Sequence, residues 1–318
     1  MNNSQLHVIF GTGPVGKSTA RELVKLGKQV RLVNRSGHAS DLPPGVEVVR
    51  GDAYNAASVA QLTAGAAVVY QAAQPEYHEW VEKFPPLQAA VLEGAAAAGA
   101  RLVVVENLYA YGDTNGRPLT EDLPPAPHTR KGRVRAAMTE SLLAAHRSGK
   151  VQIAIGRASN FFGPEYMLLA DMIFYPALAG KTATALGTLD APHSFTYVPD
   201  FGRALALLGT RDEALGQVWH VPNSPPISQR DLITRVFAQT GHPPRIRAAN
   251  RLLMSLFGLF NAGARETVEM MYEWEKPFIV DSSRFERTFG LRATPIDDAI
   301  RQTVAWFRQQ RQTSAPAA

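Results

Sequence analysis

Eight residues near the N-terminus, Gly11-Thr12-Gly13-Pro14-Val15-Gly16-Lys17-Ser18, combine glycines that let a backbone approach a ligand with a lysine and a hydroxyl. Gly11, Gly13 and Gly16 satisfy the G-x-G-x-x-G spacing of a dinucleotide loop, while Gly11, Gly16, Lys17 and Ser18 satisfy the G-x-x-x-x-G-K-S spacing of a P-loop. Both patterns put a phosphate at a helix N-terminus, where unpaired N–H groups and the helix dipole favour an anion. The chain downstream separates them. A dinucleotide site needs a ribose-reading residue at the end of the second strand, roughly 20 positions on, and the run QVRLV (29–33) ends there in Asn34-Arg35-Ser36. A P-loop needs an acid after a hydrophobic strand to hold Mg²⁺; Glu106 keeps that reading as a remote alternative. Where an acid would bond the free 2′-hydroxyl of NAD, Asn34 and Arg35 suit a 2′-phosphate, so NADP(H) is the expected cofactor and NAD(H) the second choice. Lys17 is expected to add to the positive field around the phosphates.

Further strings extend the pattern along most of the chain. Gly51-Asp52-Ala53 follows the third strand, Gln71-Ala72-Ala73 the fourth, and Ala110-Tyr111-Gly112 the fifth. Arg157-Ala158-Ser159-Asn160-Phe161-Phe162-Gly163-Pro164, Tyr197-Val198-Pro199-Asp200 and Arg284-Phe285 with Phe289-Gly290 and Pro295 come after them in order. Together these resemble the extended short-chain dehydrogenase/reductase family, which contains nucleotide-sugar epimerases and dehydratases. The resemblance implies an adenine contact at Asp52 and Ala53, small residues lining the cofactor at Ala72 and Ala73, and a substrate contact at Asn160.

The departures bear on chemistry. Family members use a Ser or Thr together with a Tyr and a Lys four residues apart, the Tyr as general acid/base and the Lys lowering its pKa. Anchoring on Tyr111-Gly112 puts Asn107 at the Ser position, and anchoring on the helix that carries Glu140 puts Gly132 at the Tyr position and Ala136 at the Lys position. No shift of register restores the pair, because residues 113–165 contain no tyrosine. The chain in this respect resembles the atypical members, with a degraded catalytic set. Substitutes are near. Asn107 can hydrogen-bond a carbonyl or hydroxyl without delivering a proton. Tyr109 and Tyr111 follow it at a spacing of two, so in extended backbone they point the same way, and Lys131 near either phenol would lower its pKa. Tyr77, His78 and Trp80, after the fourth strand, are expected to line the substrate pocket, joined by Tyr272 and Trp274 from later in the chain. His78 with Glu76 or Glu79 lacks any recognised metal-ligand spacing, so no metal is expected.

The expected protein is an NADP-dependent oxidoreductase or epimerase-like enzyme acting on a small carbonyl or hydroxyl compound or a nucleotide sugar through a non-standard acid. The alternatives are a non-catalytic NADP(H)-binding sensor or scaffold and, remotely, a P-loop nucleotide hydrolase.

Short apolar runs at 6–10, 29–33, 46–49, 67–71, 101–105, 151–155 and 217–221 read as strands covered on both faces. Helical spacing between the first two, closed by Gly27, and at 86–98, 133–147, 200–209 and 295–310 completes βαβ units. The fold class is therefore α/β: a Rossmann-type doubly wound parallel sheet over 1–164, with 193–222 returning to it, and a smaller, chain-interrupted C-terminal substrate lobe from 165–192 and 223–318. The final QTSAPAA reads as a frayed tail.

The 318 residues include no cysteine, which removes disulfides, thiolate metal sites and cysteine nucleophiles. A net charge of +5 with no block of like charges gives no reason to expect nucleic acid. The start MNNSQLHVIF does not read as a secretory signal, and a cytoplasmic location is the expectation. The longest apolar stretch, 252–260, follows Arg245, Arg247 and Arg251 and is too short to span a bilayer, so it reads as a buried helix or a surface helix with an apolar stripe and no membrane partner is expected. Family members often dimerise through paired helices, which leaves a homodimer open.

Overall fold

The computed structural model describes residues 5–314; the first four residues of the stretch read for a leader, and the last four of the expected tail, lie outside them. Six strands form in the first half: β1 (Leu6–Phe10), β2 (Gln29–Asn34), β3 (Glu47–Arg50), β4 (Ala66–Gln71), β5 (Arg101–Glu106) and β6 (Ile153–Arg157). A seventh, Gln217–His220, returns to the same sheet beside β6. All seven are parallel, in the order Gln217–His220, β6, β5, β4, β1, β2, β3. This is the doubly wound α/β arrangement the sequence implies, and its strand order reverses between β1 and β4, where ligands of such sheets bind.

Alternation of side chains explains both faces. Val8, Phe10, Leu102, Val104, Ile153 and Ile155 pack beneath helices α3 (Trp80–Ala97) and α4 (Arg130–Arg147). Ile9, Leu32, Val68, Val103 and Ala154 point the other way, against α1 (Pro14–Lys25) and the helix Val198–Thr210. A separate apolar cluster joins Phe174, Phe195, Phe237, Trp274, Ile300 and Phe307, and so gathers segments from either side of the returning strand.

Element boundaries differ from expectation where tertiary contacts intervene. Helix α3 begins at Trp80 instead of residue 86 and carries Pro85 and Pro86 inside it. Proline costs helix interiors a hydrogen bond; here buried Trp80 and Phe84, stacked edge to face, hold the early turns against the sheet. Helix α4 starts at Arg130 because the Thr129 hydroxyl accepts from Gly132 N. A short helix absent from the sequence reading, α2 (Ala56–Thr63), is capped by Asn55 through Ser58 N. The last helix, Ile296–Ser314, takes in the first residues of the expected tail.

Helix α4 is fastened to the sheet by a buried ionic cluster. Glu106, the last residue of β5, accepts from Arg157 Nε at 2.9 Å and lies 3.6 Å from Arg135 Nη2. The Thr139 hydroxyl sits 2.8 Å from its Oε1 and accepts from Arg157 Nη2 at 3.0 Å. Two guanidiniums against one carboxylate leave an excess positive charge, offset in part by the Phe84 ring under Arg135 and the Tyr111 ring under Arg157, at 4.6 and 4.7 Å. Glu106 is thus committed to structure, which removes the acid that a P-loop reading requires. Replacing Glu106 by Gln strands buried cations, and the expected cost is about 3–5 kcal/mol. A denaturant midpoint within error of wild type would contradict this.

Candidate active site

The glycine loop leaves β1 at the switch point. Gly11 has φ of 110°, and a Cβ on it would lie 2.7 Å from Ala73 N, so Ala72 and Ala73 at the end of β4 close directly on the loop. A Cβ on Gly16 would meet Gly11 O at 2.0 Å, which explains why α1 can pack so near the strand. Gly13 is different: nothing lies within 4 Å of its Cβ position. It is the N-cap of α1, no side chain caps that end, and Pro14 occupies the first helical position. The Val15 and Gly16 amides precede the first intrahelical bond, Lys17 N to Gly13 O at 3.0 Å. This open backbone cradle, formed by Gly11, Thr12, Gly13, Pro14, Val15 and Gly16, fits a pyrophosphate.

At the end of β2, Asn34 organises the loop. Its Nδ2 donates to Thr12 Oγ1 at 2.9 Å and His38 O at 2.8 Å, while its Oδ1 accepts from Ser36 N at 3.1 Å and Gly37 N at 2.6 Å. The amide is saturated, so Asn34 shapes the turn, and Arg35 and Ser36 stand exposed on it. Among the described residues no ion pair involves Arg35. Asp52 Oδ1 accepts from Tyr54 N at 3.0 Å, next to partly buried Ala53. Lys17 departs from expectation: its Nζ pairs with Glu165 at 3.3 Å, a carboxylate that Arg21 shares, so Lys17 is held by an acid instead of standing free beside the loop.

The end of β5 carries the second half of the site. Asn107 Oδ1 accepts from Tyr109 N at 3.2 Å, and among the described residues nothing accepts from its Nδ2. Tyr109–Tyr111 form a 3-10 turn, and the expectation that Tyr109 and Tyr111 share a direction fails for that reason. Tyr109 reaches the Tyr77 hydroxyl at 3.1 Å. Tyr111 turns into the interior, its hydroxyl 2.9 Å from His220 Nε2. Trp80 is buried behind Tyr77 and Tyr109 and donates to Pro75 O at 3.3 Å; it backs the pair and does not line a pocket. His78 is exposed on the 3-10 turn Tyr77–Glu79. Lys131, only 1% exposed, sits 4.6 Å from the Tyr77 ring centroid, but Glu266 and Glu269 pair with it. The expected lowering of a phenol pKa does not occur: burial pushes both the Tyr77 and Tyr109 phenols up. At the position where the resemblance would put a tyrosine, a Cβ on Gly132 would meet Tyr109 O at 2.7 Å.

A buried carboxylate completes the neighbourhood. Asn160 Nδ2 donates to His193 Nε2 at 3.1 Å and approaches Glu273 Oε2 at 3.4 Å. His193 stacks on Trp274 at 4.3 Å and 2°, and burial lowers its pKa to about 3, so it is neutral and can accept from the amide. Burial raises Glu273 to about 8, the Asn160 bond acting weakly the other way. Tyr272, beside it, has a buried hydroxyl with no partner and packs edge-on against His128. The sequence reading missed Glu273. Nothing in Tyr272-Glu273-Trp274-Glu275 distinguishes it from exposed Glu275, because only the packing decides which is covered. Among the described residues no group of three His, Asp or Glu could hold a metal ion.

The sequence matches the description "NAD dependent epimerase/dehydratase family" over residues 8–221, from β1 through the returning strand. The chain belongs to this family. It is 27% identical over 293 residues to the 2′-dehydrokanamycin reductase of Streptomyces kanamyceticus, spanning 89% of this chain and 76% of that protein. It is 25% identical over 225 residues to the dTDP-glucose 4,6-dehydratase of Streptomyces griseus, spanning 70% and 63%. The fold matches a dTDP-glucose 4,6-dehydratase from Streptomyces venezuelae with NAD bound, at a TM-score of 0.80 and 19% identity over 98% and 99% of the chains. It matches a UDP-glucose 4-epimerase from Thermotoga maritima at 0.79 and 16%, over 96% and 100%. This epimerase/dehydratase-family chain accordingly has relatives that are oxidoreductases, dehydratases and epimerases.

Glu273 gives the site a pH signature. Its folded pKa is raised, so between about 4.5 and about 8 the native state holds a proton that the unfolded chain releases, and stability falls as pH rises through that window. Glu273→Gln removes the penalty. The variant should match wild type near the lower limit and exceed it near the upper by an amount on the order of 4–5 kcal/mol; parallel melting curves across the window would refute the buried-carboxylate assignment.

Proposed function

We propose that this chain is an NADP(H)-dependent oxidoreductase acting on a carbonyl or secondary alcohol of a small polyhydroxylated compound or nucleotide sugar. The observation that carries the reading is the juxtaposition at one sheet edge of an open pyrophosphate cradle with an uncommitted Asn107 amide and the Tyr77–Tyr109 hydroxyl pair. When bound, the dinucleotide supplies or accepts the hydride. Asn107 Nδ2 donates to the substrate oxygen and orients it. The Tyr109 hydroxyl, neutral because burial raises its pKa, donates a second hydrogen bond to that oxygen, with Tyr77 fixing its direction. Glu273 keeps its proton at neutral pH and serves as the local acid reserve. Asn160, whose Nδ2 is engaged by His193 and Glu273, offers its Oδ1 to a substrate hydroxyl. Exposed Arg35 and Ser36 hold the 2′-phosphate, and Asp52 and Ala53 flank the adenine. A reductase as a relative over most of the chain supports reduction as the direction. We place the enzyme in the cytoplasm.

The blocked Gly132 position and the raised phenols favour one competing reading, a dinucleotide-binding sensor without turnover. Titration with both dinucleotides, followed by NADPH oxidation against keto-sugars and simple ketones, separates the two. Arg35→Ala should weaken NADP(H) by about 10- to 100-fold while barely changing NAD(H); equal losses contradict the 2′-phosphate contact. Tyr109→Phe should lower kcat by about 100-fold with dinucleotide affinity retained. Tight binding with no turnover of any carbonyl would hand the assignment to the sensor.

A further inference from the structure

The segment that follows residue 250 is built unlike the rest of the surface. The helix Arg251–Phe257 buries none of its side chains, and Leu252, Leu256, Leu259 and Phe260 are 70, 54, 71 and 91% exposed, with Leu253 and Phe257 above half. Such a contiguous protruding apolar surface is not what a monomer in water leaves uncovered. From Thr240 to Arg265 the sequence contains no Asp or Glu but has Arg245, Arg247, Arg251 and Arg265. Arg245 and Arg265 are exposed and take part in no ion pair among the described residues; Arg247 bonds the Thr184 hydroxyl at 2.9 Å. The carboxylates on the adjoining elements are already matched: Glu275 by Arg251 at 2.7 Å, and Glu266 and Glu269 by Arg130 and Lys131.

We infer that the 251–260 segment is a docking element for an anionic bilayer surface, its Leu and Phe side chains entering the interface and the flanking Arg245 and Arg265 facing lipid phosphates. The chemistry is that of an interfacial helix, apolar side chains beside unneutralised arginines. No helix of the described residues is long and apolar enough to cross a membrane, so the contact is peripheral. A second copy of the chain fits less well, because the facing copy of this segment, which holds no Asp or Glu from Thr240 to Arg265, has no acid to answer Arg245 and Arg265. The following helix, Ala262–Val268, packs on the Tyr77–Glu79 turn, and its last turn and the residue after it supply Glu266 and Glu269 to Lys131. The docking element is therefore tied to the side of the site that carries Tyr77.

The test is co-sedimentation of the full chain with phosphatidylcholine vesicles, with and without phosphatidylglycerol, at low and high salt. Wild type should bind the anionic vesicles at least about tenfold more tightly, with salt reducing the difference. Leu256→Ser/Phe257→Ser/Phe260→Ser should lower partitioning by about 100-fold or more, and Arg245→Gln/Arg265→Gln should remove the lipid preference, both with unchanged melting temperature. Absence of vesicle binding, or binding indifferent to the triple substitution, overturns the inference. A wild-type dimer that the triple substitution turns into a monomer, without lipid binding, overturns it in favour of a subunit interface.

Discussion

The Glu106 carboxylate holds β5, β6 and α4 in one relation through Arg157, Arg135 and Thr139. Buried charges of this kind contribute little net stability when complete, yet removal of one member is costly, so the geometry they define is steep. Asn107 and the Tyr109 turn follow Glu106 directly, and Gly132 faces the Tyr109 carbonyl from α4. The position of the site's polar groups thus descends from an interaction that never touches a ligand. Cation–π contacts to Phe84 and Tyr111 explain how two arginines are tolerated against one carboxylate.

That arrangement also accounts for the altered catalytic set. With the 3-10 turn seated on Gly132, a tyrosine side chain there would require the turn to move. The phenols available at the site come instead from the turn itself and from the loop after β4, and both are dry enough for burial to keep them neutral. Lys131 lies beside them but is neutralised by Glu266 and Glu269, so its charge fastens Ala262–Val268 and the residue after it to the core and does not activate a phenol. A carboxyl group with a raised pKa near this region, Glu273, arrives from sequence more than a hundred residues beyond α4.

The cofactor half follows a different logic. Its shape rests on backbone: a positive φ at Gly11, a contact at Gly16 too close for any Cβ, and open space at Gly13. Asn34 adds a side chain that behaves like backbone, saturating its amide to hold the loop that presents Arg35 and Ser36. These requirements are local in the chain and hence visible in it.

The sequence by itself determined the α/β class, the seven sheet strands, the glycine cradle and the family, because glycine spacing and short apolar runs report local backbone geometry and two-sided burial. Helix starts were less legible where distant packing overrode local preference, as at Trp80. The tertiary structure alone decided which side chains face one another. It turned Tyr111 onto His220, tied Lys17 to Glu165 and Lys131 to Glu266, and buried Glu273 while leaving Glu275 in water. Such pairings join residues far apart in sequence, and a carboxylate's proton affinity depends on the dielectric around it, which no string of neighbours encodes.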